Sequence, residues 1–294
     1  MEFESGVVLR GVGGLYDVQD SAGEVIRCRP RGRFKQRNLI ILAGDRVKFA
    51  VLGDDEGVIE GVLPRTTVLL RPAVANIEQL VVVAACAQPE PQLFLIDKLL
   101  VLAESRFINP VVCLNKIDLV PDSVTEEPAR IYEEAGYQVI RCSAKTGVGI
   151  DELRHCLKGK LSSFAGPSGV GKSSLLNALD PSLRLITGEV SPRTGRGRQT
   201  TRQVKLLALP FGGYVADTPG FSQLRLEGIG QLELDGHFPD LHRNKVNCRF
   251  TSCLHRSEPG CGVRTALDQG LIAPSRYNSY QMLLEELEES GTRY

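Results

Sequence analysis

The sequence predicts an open α/β sheet preceded by a small β-barrel and followed by a short, mostly helical region. Three observations carry that prediction. Residues 1–70 alternate apolar and polar positions between glycine-rich turns, the period of a half-buried strand. From about residue 75 the apolar residues come instead in continuous runs separated by helix-length stretches. Beyond about residue 228 those runs stop, and a cluster of cysteines with one histidine takes their place. The expected organisation is therefore 1–70, 71–227 and 228–294.

In the first region "SGVVLRGVGGLYDVQD", "EVIRCRP" and "GDRVKFAVLGDDEGVIEGVLP" read as about five short strands with no amphipathic helix among them. That suits a barrel of the OB kind, and an SH3-like barrel would show the same pattern. In the second region "IEQLVVVAAC" and "NPVVCLNKIDL" are strands buried on both faces, as in a parallel sheet. "QLFLIDKLLVLAESR" has helical spacing between them. "PARIYEEAG", "YQVIRCSAK", "GIDELRHCLKG", "KLSSFAG" and "KSSLLNAL" continue the alternation of helix and strand, which implies βαβ units. In the third, "TALDQGLI" and "SRYNSYQMLLEELEES" read as helices.

Composition narrows the class. At 294 residues, 42% hydrophobic and 24% charged, the chain reads as a soluble globular protein. Its formal net charge of zero supplies no global field for nucleic acid or membrane, so any such attraction must be local. No apolar run approaches the roughly 18 residues a spanning helix needs. "MEFESGVVLR" has no basic segment followed by an apolar one, so a cytoplasmic location is expected. Among the eight cysteines, Cys86, Cys113 and Cys142 fall in or beside apolar strands, Cys28 and Cys156 are isolated, and only Cys248, Cys253 and Cys261 cluster. Reduced thiols with one metal cluster are expected rather than disulfides.

"GPSGVGKSS" follows an expected strand and opens an expected helix. Its pattern, Gly166, Pro167, Ser168, Gly169, Val170, Gly171, Lys172, Ser173 and Ser174, is a phosphate cradle. Glycines turn backbone N–H groups inward, the lysine reaches the β- and γ-oxygens, and the Ser173 hydroxyl meets Mg²⁺. "NKID", Asn115, Lys116, Ile117 and Asp118, selects the base. A carboxylate at Asp118 accepts from guanine N1–H and the exocyclic amine, donors that adenine lacks at those positions. Asn115 would brace the loops and the Lys116 stem would lie along the base. "SAK", Ser143, Ala144 and Lys145, fits a second guanine-reading loop. "DTPG" then supplies Asp217 for Mg²⁺ through water and the Gly220 amide for the γ-phosphate. In "TGRGRQTTRQ", Thr200 or Thr201 would complete the magnesium shell.

These motifs run base reader first and phosphate cradle second, the reverse of an ordinary GTP-binding domain. The domain is therefore a circularly permuted P-loop GTPase, and the sheet can be the same because ligand loops sit at strand ends whatever the chain order. Permutation moves the termini, so the chain leaving DTPG runs directly into the Cys/His region. In this order, with the later "CRFTSCLHRSEPGC", the chain resembles over nearly its whole length the ribosome small-subunit-dependent GTPase A family. The resemblance implies an OB-fold, a permuted GTPase and a C-terminal zinc domain. It also implies action in late maturation of the 30S subunit, contact with 16S rRNA, hydrolysis of GTP to GDP that the subunit stimulates, and release afterwards. A monomer without membrane attachment is expected. One departure concerns switch I, where the family carries His-Thr-Thr-Thr and this chain has Gln199-Thr200-Thr201-Arg202. Phe221 follows the DTPG glycine where many GTPases place a water-orienting glutamine, so Gln199 is the candidate for that task.

Cys248, Cys253, His255 and Cys261 form C-x4-C-x-H-x5-C, a donor set for a tetrahedral structural Zn²⁺ with no open position. His237 and His242 fall outside that spacing. In "IRCRPRGRFKQRN", Arg27, Arg29, Arg31, Arg33, Lys35 and Arg37 occupy alternate positions with no acidic residue between them. On an extended segment they share one side, which suits phosphate contact, with Phe34 available to a base. A solvated edge strand is the alternative. Arg193, Arg196, Arg198 and Arg202 could add a second contact. Two rival functions are a GTP-gated scaffold whose turnover is incidental and a translation or transport GTPase sharing only the nucleotide motifs.

Overall fold

Strands β1 (Glu4–Val12), β2 (Leu15–Gln19), β3 (Val25–Pro30), β4 (Arg46–Val51) and β5 (Glu56–Val62) close into a barrel in the order β1-β2-β3-β5-β4. They belong to a computed structural model that describes residues 3–32, 34, 40–53, 55–70, 73–185, 204–217, 226 and 228–291. The parallel β3–β5 pairing among antiparallel neighbours separates this OB-type barrel from a simple meander. Alternation decides which side chains enter it: along β3, Ile26 and Cys28 point inward and Arg27 and Arg29 outward. Val8, Val18, Val47, Phe49 and Ile59 complete the filling.

Phe34 corrects an expectation. It is 8% exposed and packs in the barrel core instead of standing out for a base. After Pro30 the chain leaves the strand, and the Phe34 amide donates to the Arg31 carbonyl at 3.0 Å. That turn breaks the alternation on which the one-sided row depended. The barrel corner is tightly held as well. Gly44 has φ +88°, and a Cβ there would lie 2.1 Å from the Ala75 carbonyl oxygen. Buried Asp45 beside it accepts from both Arg65 Nε and Nη2, at 2.7 and 2.8 Å.

A short ribbon, β6 (Val68–Leu70) with β7 (Ala73–Ala75), follows the barrel. The main sheet holds β8 (Gln79–Ala85), β9 (Asn109–Asn115), β10 (Gln138–Arg141), β11 (Leu161–Ala165), β12 (Lys205–Ala208) and β13 (Tyr214–Asp217), in the order β10-β9-β8-β11-β13-β12. β8 and β11 are buried at every position, although β8 opens with Gln79 and β11 carries Ser162 and Ser163, and Gln79 Nε2 donates to the Ser162 hydroxyl at 3.4 Å. β12 is an antiparallel edge strand, which the βαβ reading did not anticipate. Helices α1 (Leu93–Ser105), α2 (Asp122–Ala135), α3 (Ile150–Leu157) and α4 (Lys172–Leu179) alternate with these strands. α2 begins before the stretch "PARIYEEAG" and carries Pro128 inside it.

The chain divides into two compact units. One holds the barrel, the β6–β7 ribbon, Cys156–Phe164 and strands β12 and β13. Within it the Tyr214 hydroxyl donates to Gln19 Oε1 at 2.9 Å, tying the first turn of β13 to the end of β2. The other holds Leu80–His155, the glycine-rich loop with α4, and the C-terminal region. That region comprises a 3₁₀ segment (Gln231–His237), α5 (Pro239–Lys245), α6 (Gly262–Asp268) and α7 (Pro274–Gly291). No helix among the described residues is long and apolar enough to cross a membrane.

In this second unit Arg276 of α7 is wholly buried. Its guanidinium donates to Asp97 of α1 at 2.7 Å and to both oxygens of Asp240 of α5 at 3.0 and 2.7 Å. The rings of Phe238, Tyr137 and Tyr132 surround it at 4.7, 5.4 and 5.9 Å from their centroids. Arg276→Ala leaves two buried carboxylates without their cation, so stability should fall by about 3–5 kcal/mol. Urea unfolding checks this, and a midpoint unchanged from the parent would refute the role given to the cluster.

Candidate nucleotide site and metal centre

β11 runs into Gly166, and Gly171 starts α4 with a left-handed backbone. Gly166 has φ +142°, with space for a Cβ blocked by the Val83 carbonyl oxygen at 2.1 Å. Gly171 has φ +96°, and its Cβ would meet Asn115 Nδ2 at 2.3 Å. Only glycine lets the loop curl this closely. Lys172 Nζ donates back to the carbonyls of Gly166 and Pro167, at 2.9 and 2.7 Å, so the ammonium lies across the loop mouth. Burial lowers the Lys172 pKa from its ordinary value. An anionic ligand would favour the charged form again. Ser173 and Ser174 occupy the first turn of α4.

The base-reading loops meet the cradle through one side chain. Asn115, 1% exposed at the end of β9, donates from Nδ2 to the Val170 carbonyl at 2.8 Å and accepts at Oδ1 from the Ala144 amide at 3.2 Å. It thus joins the "GPSGVGK" and "SAK" loops directly. Lys116 follows with φ +63°, and its Nζ donates to the Gln88 carbonyl. The buried Ser143 hydroxyl donates to Asp118 Oδ1 at 2.6 Å and accepts from the Thr146 amide at 3.1 Å. Asp118 itself is exposed, so a held carboxylate faces solvent where a guanine edge can reach it. Ile117 and Lys145 complete these loops, the latter exposed. Asp217 ends β13.

Gln199, Thr200, Thr201, Gly220 and Phe221 lie outside the described residues, as do Arg193, Arg196, Arg198 and Arg202. So do Arg33, Lys35 and Arg37 of the basic row. The described part of that row is less free than its sequence implies. Arg27 pairs with Asp17 of β2 at 3.4 Å and Arg31 with Glu60 of β5 at 2.6 Å, while Arg29 is exposed. Acidic neighbours absent along the chain arrive across the sheet.

Cys248, Cys253, His255 and Cys261 converge, with their ligand atoms within 4.8 Å of one another. His255 Nδ1 lies 3.5 Å from Cys248 Sγ and 3.3 Å from Cys261 Sγ. The Gly262 and Arg264 amides donate to Cys248 and Cys261 sulfur at 3.3 and 3.4 Å, and such donors favour thiolates. Burial first, and the neighbouring Cys261 and Cys248 sulfurs with it, push the Cys253 thiol up to about 12. A divalent cation offsets that cost, so three soft donors and an imidazole fit zinc. Sequence spacing missed Asp235, whose Oδ2 lies 3.5 Å from His255 Nε2 and 2.7 Å from Lys245 Nζ. Nothing along the chain marks it, because it precedes the first cysteine by a whole helix.

Asn115→Ala removes a buried link between both nucleotide loops. GTP binding should weaken by about 1–3 kcal/mol, as when buried polar partners are left unpaired. Calorimetric titration measures this, and an unchanged affinity would mean the loops hold their shape without it.

Residues 62–227 match the family model of the RsgA GTPase, and residues 5–59 that of the RsgA N-terminal domain. The small ribosomal subunit biogenesis GTPase RsgA of Moorella thermoacetica is 50% identical over 282 residues, covering 96% of this chain and 97% of the relative. Its counterpart from Caldanaerobacter subterraneus subsp. tengcongensis is 46% identical over 293 residues, covering 100% and 99%. Among solved structures, YjeQ from Thermotoga maritima superposes with a TM-score of 0.85 at 41% identity, covering 97% of this chain and 99% of that one. YloQ, described as a circularly permuted GTPase, gives 0.84 at 35% identity, covering 100% and 98%. With such likeness along the full length, and a family model matched over more than half of it, the chain belongs to the RsgA GTPase family.

Proposed function

We propose that this chain hydrolyses GTP while bound to the small (30S) ribosomal subunit late in its maturation, and leaves the subunit afterwards. The observation that supports this most is Asn115, which links a phosphate cradle to a guanine-reading loop in a chain of the RsgA family. The names of the relatives carry small-subunit biogenesis explicitly. In this reading the barrel of residues 1–70 and the switch arginines contact 16S rRNA, 71–227 is the GTPase, and 228–294 the metal-bound helical part.

Lys172 clamps the β- and γ-phosphates, and Asp118 reads the base. Ser173, one of Thr200 and Thr201, and Asp217 would hold Mg²⁺, which would supply neutralisation of the phosphate charge. Gln199 orients the attacking water, since the sequence offers Phe221 after the DTPG glycine. Phe221 also supports a second reading, a GTP-gated scaffold in which turnover is incidental. A cytoplasmic monomer suits both.

Single-turnover hydrolysis with and without purified small subunits separates them. Stimulation by the subunit, lost in Lys172→Ala and reduced on the order of 100-fold in Gln199→Ala, is the expected result. Hydrolysis indifferent to the subunit would favour the scaffold, and full activity of Gln199→Ala would assign the water to another group. Metal analysis of fresh protein should find one zinc per chain. Chelation should unfold the C-terminal region while GTP binding survives, because metal free energy is folding free energy in so small a core. Resistance of its helical signal to chelation would count against a structural metal.

A further inference from the structure

A histidine that gives one ring nitrogen to a metal has a second to account for, and here that nitrogen faces a buried carboxylate. His255 is wholly buried, with Nδ1 among the sulfurs and Nε2 3.5 Å from Asp235 Oδ2. Asp235 is 2% exposed and lies on the 3₁₀ segment Gln231–His237, outside the loop that supplies the ligands. Lys245 of α5 donates to both of its oxygens, at 3.0 and 2.7 Å. Other bonds fix the ring's backbone: the Tyr277 hydroxyl donates to the His255 carbonyl at 2.6 Å, and His255 itself has φ +59°.

We propose that Asp235 is the positioning residue of the metal centre, holding the imidazole proton on Nε2 so that the Nδ1 lone pair faces Cys248 and Cys261. The proposal rests on the reading of the cluster as a zinc site. A carboxylate accepting from the distal ring N–H fixes the tautomer and raises the basicity of the ligating nitrogen. Charge balance explains Lys245. Three thiolates and one zinc ion carry a net single negative charge, and the buried Asp235 carboxylate adds another. The ammonium cancels it. The centre is thereby tied to the 3₁₀ segment Gln231–His237, outside the 248–261 loop that supplies its ligands.

The test uses the full-length chain stripped of metal and titrated with Zn²⁺ against a chromophoric chelator, then with Co²⁺ for its visible spectrum. Asp235→Ala should bind zinc about 10- to 100-fold more weakly and alter the cobalt bands. Asp235→Asn, whose amide oxygen still accepts from Nε2–H, should lose less. Lys245→Met, which breaks the ion pair and keeps the carboxylate, should also lose less. Affinity in Asp235→Ala within twofold of the parent, with an unchanged cobalt spectrum, overturns the proposal. Equal losses in Asp235→Ala and Lys245→Met overturn it too, because they would reduce Asp235 to an ion-pair partner. Should Asp235→Ala fail to fold, Asp235→Asn decides: weaker zinc binding with altered cobalt bands supports the role, and parent-like affinity with an unchanged spectrum overturns it. A parent chain that binds neither ion sinks the zinc reading itself, a result distinguishable from failure of the Asp235 role.

Discussion

Arg276 is the constraint around which the second unit is arranged. A guanidinium removed from water is tolerable only with its charge met and its N–H groups bonded, and no single helix can provide both. Here the partners come from α1 and α5, and three aromatic rings close the remaining sides. Any displacement of α7 from α1 or α5 would strand a buried ion. The region of the Cys/His cluster is thereby held to α1 by directional bonds. Burial pushes the Asp97 carboxyl above the ordinary carboxylate range, against the pull of Arg276 and a hydrogen bond from Ser279.

The nucleotide loops obey the same logic on a smaller scale. Asn115 is nearly inaccessible, and its amide has a donor and an acceptor to place. It places the donor on the Val170 carbonyl of the phosphate loop and the acceptor at the Ala144 amide. The two loops proposed to read phosphate and base are thus registered to one another by a single planar group. Chain order has no part in this, since each loop hangs from a strand end. Permutation is tolerated for that reason.

The Cys/His centre differs in depending on a group outside its own loop. Three thiols and an imidazole bring the donors, yet the ring is steered by a carboxylate on a preceding 3₁₀ segment and that carboxylate is neutralised from α5. The ligands Cys253 and Cys261 themselves belong to an apolar core with Leu234, Leu241, Val263, Tyr280 and Leu283. Polar geometry at the centre is therefore built inside a packed apolar shell.

Much of this molecule is determined locally, and the sequence by itself determined those parts. Strand alternation in the barrel, continuous apolar runs at β8 and β9, the glycines of the phosphate loop and the C-x4-C-x-H-x5-C spacing each reflect short-range sterics or ligand geometry. Even the order of the loops could be read before any coordinate was known. Tertiary structure alone decided which distant groups meet. Phe34 became core because the chain turns after Pro30, Arg27 and Arg31 gained acidic partners from neighbouring strands, and β12 joined as an antiparallel edge. Arg276 and Asp235 carried no mark in the sequence. A buried charge is defined by partners drawn from anywhere along the chain, and periodicity reports only on neighbours within a turn or a strand.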